Sequence, residues 1–77
     1  MKDLLISIAS GLVDEPDKIT VIDDAPDEEG VIVFHLKVAE GDVGRVIGKQ
    51  GRIAKAIRTV MRAAANRQNA KVAVEID

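Results

Sequence analysis

Val46-Ile47-Gly48-Lys49-Gln50-Gly51-Arg52-Ile53 sets two glycines around Lys49 and Gln50, at the join of two segments with helical periodicity. Glycine at both ends lets the backbone turn sharply and lets a ligand approach without a Cβ in the way. Gly51 and Arg52 fall at the start of the second segment, where free backbone N–H groups and the positive end of a helix dipole favour a phosphate. Arg45, Lys49 and Arg52 add positive charge around the same point. Such a bend suits a sugar-phosphate backbone. Other glycine motifs fail on spacing. A Walker A loop needs a glycine five residues before the glycine of its Gly-Lys pair. Here that position is Val43, and Gln50 stands where the magnesium-binding Ser or Thr belongs. The dinucleotide fingerprint would need glycine at position 46, which is Val.

Downstream of the bend, Ile53, Ile57, Val60, Met61 and Ala64 predict a helix over 52–66 with an apolar stripe. Arg52, Lys55, Arg58 or Thr59, and Arg62 form a basic stripe on another side of it. Upstream, residues 42–47 fit one short helix with Asp42 or Glu40 near its start. Residues 31–38 alternate as a strand, Ile32, Phe34, Leu36 and Val38 one way and Val31, Val33, His35 and Lys37 the other. Residues 18–23 are rich in β-branched side chains and read as a second strand. Residues 2–13 place Leu4, Leu5, Ile8 and Leu12 at helical spacing, with Ala9 and Val13 beside them, and Gly11 and Pro16 stop that helix. Residues 70–76 form the last strand, with Val72, Val74 and Ile76 inward. The order α-β-β-α-α-β predicts an α+β fold, a three-stranded sheet with the helices packed on one face, as a single domain over residues 1–77.

Composition narrows the function. A chain of 77 residues buries only about 60% of its unfolded surface, which leaves little volume for an enzyme cleft. Without cysteine there is no disulfide framework, thiolate zinc site or redox motif. The apolar runs are too short for a membrane span, and no signal peptide precedes the first helix, so the chain is expected in the cytoplasm. His35 has no second His or Cys to join it, and Ser7 and Ser10 lie in the first helix, so no catalytic residue, metal or cofactor is expected. Five carboxylates, Asp23, Asp24, Asp27, Glu28 and Glu29, crowd the 23–30 turn. They lack EF-hand spacing and Pro26 interrupts them, so they read as a solvated hairpin tip. The formal net charge of −2 conceals an asymmetry: residues 1–44 carry −8 and residues 45–77 carry +6, with no acid between Arg45 and Lys71. One face should attract polyanions and another repel them.

Val46 to Gly51 followed by an amphipathic helix resembles the signature of K-homology (KH) RNA-binding domains, and the element order is similar to the type II, prokaryotic form of that fold. The short chain, with residues 42–48 leading into residues 52–59, resembles the small bacterial KhpA family. One departure is Ala54, where many KH helices carry a large aliphatic side chain. The resemblance implies single-stranded RNA in a narrow groove, its backbone clamped over about four nucleotides. Carried onto this chain, Gly48, Lys49, Gln50 and Gly51 hold the backbone, and Arg45, Arg52 and Lys55 support it. Val46, Ile47, Ile53 and Ile57 offer aliphatic surface, some to bases and some to the core. With one Phe and no Tyr or Trp, an aromatic stacking platform is ruled out. The family also implies a role as an RNA chaperone subunit in RNA control linked to cell shape, a homodimer, and a heteromer with a larger KH-containing protein, KhpB. The alternative is an assembly subunit that uses the same loop and helix mainly as a dimer interface.

Overall fold

Residues 1–76 are described by a computed structural model. Helix α1 spans Lys2–Ser10, and strands β1 (Thr20–Asp23) and β2 (Val31–Lys37) follow. Helix α2 covers Val43–Ile47, helix α3 Arg52–Arg67 and strand β3 Lys71–Ile76. The three strands lie in the order β1-β2-β3. β1 pairs antiparallel with β2, Thr20 opposite Lys37, whereas β2 pairs parallel with β3, Val31 opposite Lys71. A parallel pair needs a crossover of a dozen or more residues, and α2 and α3 supply it. The KH-like α+β arrangement and the order expected from the sequence are what the chain adopts.

Alternation along the strands sends Val21, Phe34, Leu36 and Val74 into one core with Leu5, Ala9, Val46, Ile57 and Met61. Leu5, Leu36, Met61 and Val46 are the largest fully buried side chains, each worth about 1.5–3 kcal/mol relative to exposure. At the hairpin, Asp27 Oδ1 accepts the amides of Glu29 (2.8 Å) and Val31 (3.0 Å). That carboxylate organises its own turn, as Asp side chains do.

Several sequence expectations shift. β1 starts at Thr20, because Pro16–Lys18 closes a 3₁₀ turn in which the Ile19 amide donates to the Pro16 carbonyl. α1 ends at Ser10, where the Gly11 amide donates to Ile8 and that of Leu12 to Ala9. Leu4 is exposed and Ala9 buried, since the sheet meets the Leu5–Ala9 face. On α3 the buried face is Ala54, Ile57, Met61 and Ala65, and Val60 is 47% exposed. The small Ala54 therefore packs inward and lets α3 approach its neighbours closely.

Candidate nucleic-acid interface

The bend between α2 and α3 is a short 3₁₀ turn over Lys49–Gly51. Gly48 enters it at φ 75°, ψ 176°, a region nearly confined to glycine. A methyl group there would lie 2.6 Å from Ile53 Cγ1 and 2.9 Å from Ile53 Cβ, so Gly48 also packs against the first turn of α3. Gln50 (φ 57°, ψ 24°) and Gly51 (φ 73°, ψ 15°) are both left-handed. Two such residues in a row reverse the chain, and they leave Lys49 and Gln50 exposed at the tip. Around Gly51 a Cβ would meet nothing within 4 Å, so its backbone lies open to close approach.

The amides are less free than the sequence suggests. Gly48 donates to the Gly44 carbonyl at 2.9 Å and Gly51 to the Gly48 carbonyl at 3.3 Å. The Arg52 amide donates to the Lys49 carbonyl. The turn consumes donors that a helix start would otherwise present, which leaves the side chains as the main positive groups. Lys49, Arg52 and Lys55 are exposed and have no ion-pair partner among the described residues.

Arg45 behaves differently. Its Nη2 lies 3.0 Å from Asp14 and its Nε 3.3 Å from Asp42, so its charge is already matched. Asp42, 3% exposed, is the one buried charged residue among those described. It makes no side-chain cap on α2, contrary to the role expected near a helix start. Its carboxylate instead accepts the amides of Asp14 and Glu15, each at 3.1 Å. Nothing local signals this tie, because its partners lie 27 and 28 residues away.

The aliphatic candidates divide. Val46 is fully buried and Ile57 is 2% exposed; both serve the core. The reason is geometric, since each is the residue its helix turns toward the sheet. Ile47 and Ile53 remain half-buried beside the turn.

At about 100° per residue, α3 presents two flanks on either side of its buried face. Lys55, Arg58 and Arg62 lie on one, and the Arg58 Nε donates to the Val74 carbonyl of β3 at 3.1 Å. Arg58 belongs to the basic stripe but not to the expected site, because that bond depends on where β3 docks. Ile53, Ala56 and Val60 lie on the other flank and, with Ile8 and Leu12 of α1 and Arg52, line an open apolar groove of about 330 Å³. A second shallow groove continues it over Ala63, Ala64 and Arg67. No helix among the described residues is long and apolar enough to cross a membrane.

The family model of the KhpA/KhpB KH domain matches residues 2–76. This chain belongs to that family. The RNA-binding protein KhpA of Clostridium acetobutylicum is 55% identical over 76 residues, 99% of both chains. That of Clostridium perfringens is 54% identical over the same extent. The RNA-binding protein KhpA of Chlamydia trachomatis is 42% identical over 99% of this chain and 95% of its own. The KhpA/KhpB match spans α1 through β3, so membership rests on the whole array of elements as well as on the glycine turn.

Proposed function

We propose that this chain is a non-enzymatic, single-domain RNA-binding protein that holds the backbone of single-stranded RNA on the turn from Gly48 to Gly51. The observation that carries this reading is the exposed Lys49-Gln50 tip, left-handed at Gln50 and Gly51, with the unmatched cations around it. The open backbone at Gly51 admits a strand closely, and Lys49, Arg52 and Lys55 neutralise phosphates. Arg45 supports the turn through Asp42 and Asp14 rather than by gripping phosphate. Curated relatives that carry the name RNA-binding protein agree with this reading. Neutralising about two to four phosphates gives a salt slope of roughly −1.4 to −2.8 for a single strand. Affinity then falls about 7- to 50-fold between 50 and 200 mM salt, the behaviour of a weak binder. A second module in a homodimer or in a heteromer with a larger KH-containing protein raises it by avidity. Such a module fits a cytoplasmic RNA chaperone.

The test is a titration of labelled single-stranded RNA against the wild type and the Lys49→Asp/Gln50→Asp double variant at two salt concentrations. Both side chains are exposed, so the variant folds. Loss of salt-sensitive binding in the variant supports the reading, and equal, salt-insensitive signals from both proteins overturn it. A second reading, protein assembly, is favoured by the apolar groove between α1 and α3 and by the exposure of Val60. In that case RNA binding and self-association use opposite flanks of α3.

A further inference from the structure

We infer that the solvent-facing crest of α3, formed by Arg52, Lys55, Thr59, Arg62 and Asn66, binds the shallow groove of double-stranded RNA. The inference adds a second contact to the single-strand reading above and is tested apart from it. All five side chains are exposed. Thr59 stands about 160° around the helix from the fully buried Met61. Lys55 and Arg62 lie four residues before it and three after, so they are its neighbours on that surface. None of the five is apolar, and the three cations have no ion-pair partner among the described residues.

Such a crest is unfavourable for the helix itself. Lys55 lies three residues from both Arg52 and Arg58, and Arg62 lies four from Arg58, spacings at which like charges repel. The first turn of α3 holds no acid, although the helix dipole favours one there and opposes Arg52 and Lys55. A polyanion along the crest relieves both costs.

Thr59 specifies which polyanion. Its hydroxyl donates to the Lys55 carbonyl at 3.0 Å, which uses the one hydrogen it has and leaves its oxygen to accept. Phosphate oxygens only accept, so the cations match them and Thr59 does not. A ribose 2′-hydroxyl can donate to it, and DNA has none. The Asn66 amide both donates and accepts, which suits the same groups. Single strands are held in grooves or stacked on aromatic rings, and a convex crest of polar side chains supplies neither. A-form duplex RNA keeps its bases stacked and displays 2′-hydroxyls and phosphates across a wide, shallow groove. An acceptor with cations on both sides along the helix matches that display.

The experiment measures binding of the full chain to a blunt RNA duplex of about 16 base pairs, a span that groove contacts can cover, and to a DNA duplex of the same sequence. The RNA duplex should bind in a salt-sensitive way, about ten-fold tighter than the DNA. Thr59→Val removes the acceptor without changing the charge. Affinity for the RNA duplex should then fall about three- to ten-fold, the worth of one hydrogen bond, while affinity for the DNA duplex and for single-stranded RNA stays. Thr59→Ser keeps the hydroxyl and should restore the wild-type value. The Lys49→Asp/Gln50→Asp variant should still bind the RNA duplex. Equal affinity for the two duplexes, an RNA preference untouched by Thr59→Val, or loss of the RNA duplex in the turn variant overturns the inference. Polyglutamate binding as tightly as the RNA duplex overturns it too, and marks the crest as a surface for acidic proteins. In each of these cases salt-sensitive binding of single strands leaves the turn reading standing. Absence of single-strand binding with the RNA duplex still bound overturns the turn reading alone, and absence of both overturns both.

Discussion

The two flanks of α3 share a helix and a buried face, yet they meet solvent in opposite ways. On the β3 side, Lys55, Arg58 and Arg62 are exposed, and among the described residues only Arg58 is held by a partner. On the α1 side, Ile53, Ala56 and Val60 leave an apolar furrow. A basic flank gains affinity by releasing counterions, so its contribution falls with salt. An apolar flank gains it by removing area from water and is nearly indifferent to salt. One helix can therefore present a polyanion surface and a protein surface without either obstructing the other, and salt separates the two by experiment.

Four substitutions break or sharpen this contrast. The largest effect belongs to Lys49→Asp with Gln50→Asp at the head of the basic flank: RNA binding falls below detection in a fluorescence titration while the thermal midpoint stays put. Gly48→Ala strikes where the turn leans on the apolar flank. It forces a non-glycine residue into φ 75°, ψ 176°, at a cost of about 1–3 kcal/mol. It also drives a methyl group against Ile53, which adds about 1–3 kcal/mol of overpacking. Chemical denaturation measures this loss, and an unchanged midpoint would mean that the turn does not hold this geometry. Arg62→Ala removes one unmatched cation, and the slope of log affinity against log salt should become shallower by about 0.7. Val60→Ser should move stability by no more than about 0.5 kcal/mol, as at other exposed positions, and leave RNA affinity unchanged. A shift to smaller species in sedimentation with Val60→Ser would mark the apolar flank as an assembly surface. A change in its salt slope would merge the flanks into one site.

Much of the fold was legible because its signals are local. Alternation through Phe34 and Leu36 needs only the period of a strand, and the paired glycines at 48 and 51 need only the rarity of left-handed backbone. Candidate residues within the turn were legible for the same reason. Which of the aliphatic candidates go to the core, and whether Arg45 finds an acidic partner, was not legible in this way. Spacing places a residue on a helix face, but which face meets the sheet depends on how the helix docks. Leu4 and Val60 carry the same lesson in reverse, as apolar residues at helical spacing that stay 36% and 47% exposed.

The sequence alone determined the element order, the glycine bend between two helices, and a second half free of acid from Arg45 to Lys71. All of these follow from conformational preference and charge within a few residues. Tertiary structure alone decided that Arg45 is matched by Asp14 and that Arg58 is pinned to Val74. Those outcomes depend on groups 16 to 31 residues apart along the chain being brought within hydrogen-bonding distance, where packing of the whole core rather than any local preference chooses the partner.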